Sequence, residues 1–207
     1  MVSPPSTDEG SAPPTRDVLI NAAMPVFRSN GYELTTVDDI ARSAGLTTGA
    51  IYASFASKDE LFYAAVSLVE DRFESWAQTG VRDLPGSSSV RDRLAAYLHA
   101  TVAILGAEPD LMAFRSSSWV DLARQPEIGR AYGSVQARRR EFLLGLLKGA
   151  RVARRPSVSR EDLVDVILMA AEGIASAQID TLVPKTTSMA ALTSVIEHLL
   201  LGDPIDA

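Results

Sequence analysis

From Thr15 onward, apolar residues recur at intervals of three and four, and no stretch alternates polar and apolar between hairpin turns. That periodicity predicts an all-α protein. A first helix is expected over about 16–29, with Val18, Leu19, Ala22, Ala23, Val26 and Phe27 inward and a stop at Asn30-Gly31. Pro25 lies inside it, removes a backbone donor and crowds the preceding turn, so a bend or break is expected there. Thr36, with Asp39 three residues on, reads as the cap of a second helix that carries Val37, Ile40 and Ala41 inward and ends near Ser43. Gly45 permits a sharp turn, Leu46 can plug the gap beneath it, and Thr47 can cap a third helix over about 48–55. Ser57-Lys58-Asp59-Glu60 reads as a capping box opening a long helix that ends near Gln78, before Gly80. The same periodicity places further helices at about 90–105, 110–123, 126–150, 160–181 and 187–201, about nine in all, with Pro126 in a first turn and Ser159 with Asp162 as another capping box.

Residues 1–14 break this pattern. Four prolines among serines, acids and glycine supply too little apolar surface to repay ordering, and a flexible tail is expected. Composition narrows the function. The chain of 207 residues has no cysteine and only two histidines, far apart, which argues against thiol chemistry, metal sites and cofactors. Neither a long apolar run nor a signal-like start is present, so a cytoplasmic protein is expected. No phosphate-cradling glycine loop or nucleophile elbow points to an enzyme. The net charge of −6 argues against nucleic-acid binding through a general basic coat. It leaves room for a groove reader that uses a few placed cations and helix starts.

The third helix raises that possibility directly. Helices below about 12 residues are marginal alone, so Ile51 and Phe55 must hold it to the core. At 100° per residue, Gly49, Ala50 and Ala53 then face away, flanked by Thr48 and Tyr52. Two helices joined by a tight glycine turn, the second held along one edge, form the helix-turn-helix arrangement that places a helix in the DNA major groove. The outward side is small and offers no bidentate partner for a base, so Thr48, the edge of Tyr52, waters and DNA shape would carry the reading. Thr36, Thr47 and Lys58 lie at helix starts, where they could clamp phosphates. Between 15 and 63 the cations are Arg16, Arg28, Arg42 and Lys58, against six acids.

Residues 16–63, RDVLINAAMPVFRSNGYELTTVDDIARSAGLTTGAIYASFASKDELFY, closely resemble the DNA-binding domain of the TetR (tetracycline-repressor-like) family of transcriptional regulators. The resemblance runs through Gly31-Tyr32, Thr35-Thr36-Val37, Asp39-Ile40-Ala41, Ala44-Gly45, Gly49, Ile51-Tyr52, Phe55 and Ser57-Lys58. It implies a three-helix helix-turn-helix domain over 15–63, then a larger helical effector-binding and dimerisation domain over 64–207. It further implies a homodimer, most often a repressor, that binds operator DNA and responds to a small molecule. By position, Tyr52 would touch backbone or bases and Lys58 a phosphate.

Two faces of the second half carry the remaining expectations. On the helix over 110–123, Met112, Phe114, Arg115 and Trp119 lie on a wide apolar arc and are candidates to border a largely apolar effector, although such a face also suits plain core. The helix over 160–181 has two apolar stripes, one with Leu163, Val166 and Ile167 and the other with Val164, Leu168, Ala171, Ala175 and Ile179. The second stripe, with Leu192, Val195, Ile196 and Leu199 on the last helix, is the candidate dimer interface. An interaction module that keeps this fold without reading DNA is the alternative, favoured by the acidic N-terminal domain.

Overall fold

A computed structural model describes residues 16–124, 126–148 and 159–179, and these are all helix, turn and loop. Eight helices follow in order: α1 (Arg16–Leu34), α2 (Val37–Ala44), α3 (Thr48–Tyr52), α4 (Lys58–Arg82), α5 (Val90–Ala107), α6 (Pro109–Arg124), α7 (Pro126–Leu146) and α8 (Arg160–Ile179). The expected N-terminal tail and the helix over 187–201 lie outside the described residues. Among the described residues no helix is long and apolar enough to cross a membrane.

Local chemistry sets the helix starts. Thr36, Ser57 and Ser89 have extended backbone, and each accepts the amide three residues on. Thr36 with Asp39, Ser89 with Asp92 and Ser159 with Asp162 are reciprocal boxes. Ser57 is capped on one side alone, because the Glu60 carboxylate reaches one residue further back, to the Ala56 amide at 2.8 Å. Helical geometry in α1 continues past Pro25 and first fails at Gly31 (φ 74°, ψ 165°), so the expected break at the proline is absent. Asn21 and Pro25 are both exposed, which leaves the missing hydrogen bond on the solvent side. Gly45 (φ 66°) ends α2 in the left-handed conformation, and Leu46 donates to the Ala41 carbonyl at 2.9 Å while packing under the turn.

Gly80 does not end α4, contrary to expectation; the helix runs on to Arg82. The glycine serves packing instead. A β-carbon there would lie 2.9 Å from both the Ala100 side chain and the Ala96 carbonyl oxygen of α5, so α4 and α5 cross where only hydrogen fits. Gly80→Val should therefore cost roughly 1–3 kcal/mol by overpacking, read as a lower urea midpoint at unchanged helicity.

Two cores form. The first joins α1–α4 to Ile104, Leu111, Met112, Phe114 and Leu122. The second holds Ala77, Leu94, Tyr97, Leu98, Leu143, Leu146, Leu147, Leu163, Val164 and Ile167. Because α4 contributes to both, the expected boundary near residue 63 falls inside a continuous helix, and the first three helices share their core with α6.

Candidate nucleic-acid interface

The turn between α2 and α3 fixes a short helix by one edge. Ile51 and Phe55 are each 1% exposed, whereas Gly49 and Ala53 are open to solvent and Tyr52 is 56% exposed. Helical structure ends at Tyr52, three residues earlier than expected, and a turn then swings Phe55 back into the core. Thr47 caps α3 by accepting the Ala50 amide at 3.1 Å; Thr48 and Ala50 are half-buried at the flanks. A β-carbon on Gly49 would meet only the Thr47 hydroxyl oxygen, at 3.8 Å, so its outer side is open space. The structure thus brings Thr47, Thr48, Gly49, Ala50, Tyr52 and Ala53 onto one small element.

Thr36 is exposed, but its hydroxyl donates to the Asp39 carboxylate at 2.6 Å and accepts the Asp39 amide, so it serves first as a helix cap. The same hydrogen bonds from Thr36 hold the Asp39 carboxyl below the usual carboxylate range, with Arg42 adding a smaller pull. Asp92 and Asp162 are lowered likewise by Ser89 and Ser159. A depressed folded-state pKa means stabilisation present above the ordinary carboxylate pKa and lost as pH falls through the folded value. The first turns of α2, α5 and α8 should therefore lose amide protection together below about pH 4, and Asp39→Ala should remove that acid dependence at α2 alone.

Lys58 also has partners within the chain. Its ammonium donates to the backbone carbonyls of Tyr32 (2.8 Å) and Thr35 (3.0 Å), lies 3.5 Å from that of Glu33, and sits over the Tyr32 ring at 4.2 Å. In the chain without DNA the ammonium is turned to the end of α1. Arg16 is engaged too, donating to the Ser54 carbonyl at 2.8 Å, pairing with Glu60 at 3.0 Å and stacking on Phe55 at 4.0 Å. Arg28 reaches Asp110 of α6 at 2.7 Å. Arg42, with a side chain 77% exposed, has an Asp39 contact one turn away at 3.2 Å. These ties went unread in the sequence because the partners are backbone carbonyls 23 to 38 residues distant.

Residues 19–65 match the family described as bacterial regulatory proteins, tetR family. Over those residues the chain is similar to the tetR family. A curated relative, the HTH-type transcriptional regulator HbdR of Aromatoleum sp. (strain CIB), is 33% identical over 113 residues, 54% of this chain and 48% of that protein. The fatty acid metabolism regulator protein of Bacillus subtilis (strain 168) is 26% identical over 93 residues, 45% of this chain and 46% of its own length. This chain thus spans about half the length of the curated relatives it matches. A transcriptional regulator from Rhodococcus sp. Rha1 superposes with a TM-score of 0.74 at 21% identity, covering 90% of this chain and 96% of that one. The regulator FadR from Bacillus subtilis, solved in complex with stearoyl-CoA, superposes with a TM-score of 0.69 at 19% identity over 91% of this chain and 99% of its own. Such TetR-family proteins are transcription regulators with a DNA-binding helix-turn-helix.

Elsewhere in the chain, Met112 and Phe114 are core residues, each 1% exposed, and the Trp119 side chain lies outside the described residues. Arg115 is buried and meets Glu70 of α4 at 2.7 Å; Arg139 of α7 approaches the same carboxylate at 3.9 Å, and both guanidinium groups lie against the Phe73 ring. Arg139 was not foreseen, although Glu70 on the apolar stripe of α4 signals a buried cation partner. Val66, Val69, Glu70, Phe114, Arg115, Ser118 and Leu122 surround a space too small to admit a water molecule, against the roughly 300–1,000 Å³ of ordinary ligand sites. Removing Glu70 would leave buried positive charge. Glu70→Ala should cost about 3–5 kcal/mol in stability, as for other broken buried pairs, measured by denaturant unfolding.

The α8 stripes also need correction. Val164 is fully buried in the chain's own core and Leu168 packs half-buried against it, so Val164 is not available to a partner. The inward arc, Leu163, Val164 and Ile167, falls between the two stripes read from the sequence, and among the described residues of α8 the exposed large apolar ones are Val166 and Met169. The side chains of Ala171, Ala175 and Ile179, and the residues Leu192, Val195, Ile196 and Leu199, lie outside the described residues.

Proposed function

We propose that the protein is a homodimeric repressor that binds a palindromic operator and leaves it when a small, largely apolar effector is bound. The observation that carries this reading is the bare flank of α3: Gly49, Tyr52 and Ala53 stand open while Ile51 and Phe55 are sealed beneath. Such a helix has no structural use for its outer side, and a groove floor fits it. Pairing through the exposed Val166–Met169 side of α8 would set two copies of α3 on one face of a duplex.

The effector reading is supported by how α6 is wired. Phe114 borders both the space at Glu70 and a groove of about 260 Å³ between α1 and α6. α6 also holds α1 through Asp110 to Arg28 and through Asp121, which accepts the Tyr32 amide at 3.0 Å. An effector that enlarged the small space beside Arg115 would shift α6 and carry α1 with it, changing the separation of the two groove helices. The stearoyl-CoA held by the Bacillus subtilis FadR makes an acyl effector the first class to try.

Selection of bound sequences from random duplex DNA, with and without acyl effectors, tests the reading, and light scattering on the eluting protein tests the dimer. An enriched inverted repeat lost on adding effector supports it. No enrichment at low salt would favour the interaction module, which the engaged cations of the N-terminal domain also suit.

A further inference from the structure

We propose that the groove between α1 and α6 is a binding site for a small aromatic monocarboxylate, whose carboxylate takes Arg28 from Asp110. The site is separate from the closed space beside Arg115, and it does not depend on the operator-binding function proposed above. The inference starts from Pro25. A proline inside a helix costs stability, and this one belongs to neither core. Asn21, Met24, Pro25 and Arg28 recur at three, four and seven along α1, so they share one face. With Asp110, Leu111 and Phe114 of α6, that face borders about 260 Å³ of open space.

The lining sorts into an apolar body and a polar end. Leu111 and Phe114 are buried, Met24 is half-buried against the same core, and Pro25 closes one side with a ring that carries no N–H. A thioether, a proline ring and a phenyl group suit the edges and faces of an aromatic occupant. Arg28 stands at the polar end and is the one cation among the described residues of the lining. Its guanidinium meets Asp110 at 2.7 Å, with side chains 37% and 92% exposed. An exposed pair of this kind is weakly held. When a ligand carboxylate replaces Asp110, the guanidinium keeps a charged hydrogen-bond partner, and Asp110 returns to water that already reaches nearly all of it. The volume bounds the occupant. At roughly 30 Å³ for each non-hydrogen atom, the share of one water in the liquid, about nine atoms fit. That is an aromatic ring with a short acid arm, and it is too little for a nucleotide or a long acyl chain.

The probes are phenylacetate and its neutral isostere phenylacetamide, titrated into the DNA-free protein by calorimetry and by the methyl resonances of Met24 and Leu111. We expect phenylacetate to bind with a Kd of about 1 mM or tighter and the amide about tenfold more weakly, for want of charged hydrogen bonds. The Met24 and Leu111 methyls should shift, while those of Leu143 in the second core stay still. Arg28→Gln should bring the acid down to the affinity of the amide. Asp110→Asn should tighten the acid several-fold by removing the competing carboxylate and leave the amide unchanged, a gain that no misfolded variant would give. Equal affinity for acid and amide, which needs no variant, overturns the proposal. So does an absence of binding up to about 10 mM phenylacetate, unshifted Met24 and Leu111 methyls at saturation, or an Asp110→Asn protein that binds the acid no tighter than the wild type.

Discussion

Gly49→Leu should weaken operator binding about 100-fold and leave the thermal midpoint unchanged or slightly higher. The site is open: a β-carbon at Gly49 meets only the Thr47 hydroxyl oxygen, at 3.8 Å, so a larger side chain clashes with nothing inside the molecule. Its backbone is not in the left-handed region, and replacing a helical glycine under those conditions typically stabilises by about 0.4–1 kcal/mol. Against DNA the sign reverses. In the proposed complex Gly49 would let the α3 backbone approach the groove floor, and an isobutyl group there would hold the whole helix off. A loss of roughly 100-fold in affinity, about 2.7 kcal/mol, is expected, with a smaller loss for Gly49→Ala, whose single methyl can still touch a thymine. Anisotropy titrations alongside thermal melts check both signs. Unchanged affinity would mean that this flank does not face DNA.

Phe62→Ala should destabilise the fold as strongly as the loss of Glu70. The ring is fully buried and touches three others, Phe27 edge-on at 5.0 Å, Tyr32 at 4.9 Å and Phe114 at 6.2 Å. Truncating a phenylalanine in a core costs about 3–5 kcal/mol from lost burial and the cavity left behind. That is a large share of the roughly 5–15 kcal/mol that holds a domain folded. The position matters for function as well, since Phe62 links the end of α1 to Phe114 of α6. Urea unfolding should show the full loss. In the operator complex, the response to effector should weaken more than binding does, because α6 would then move without pushing on α1.

The helix starts were legible because caps are local chemistry: Thr36 with Asp39 and Ser159 with Asp162 needed only three residues of context. The anchoring of α3 was legible for the same reason, since Ile51 and Phe55 are its large apolar residues. What failed depended on distant partners. Gly80 looks like a helix stop along the chain, and only the approach of Ala96 and Ala100 reveals it as a packing residue. The carbonyls of Tyr32 and Thr35 under the Lys58 ammonium were equally out of reach of the sequence. On α8, two apolar stripes side by side left the direction of the core undetermined, and the true arc lies across both, burying Val164 and exposing Val166. Glu70 and Arg115 were half visible: a buried arginine demands an acid, but pattern alone could not say that Arg139 would share it.

Footprinting of the protein on an operator enriched from random duplexes tests the central claim most directly, since that claim is that the open side of α3 reads base edges from each half of a dimer. Two protected major-groove segments on one face of the duplex, centred about 34–36 Å apart and both lost in Gly49→Leu, are the expected result. A single protected segment, protection confined to the minor groove, or a footprint unchanged in Gly49→Leu would contradict it.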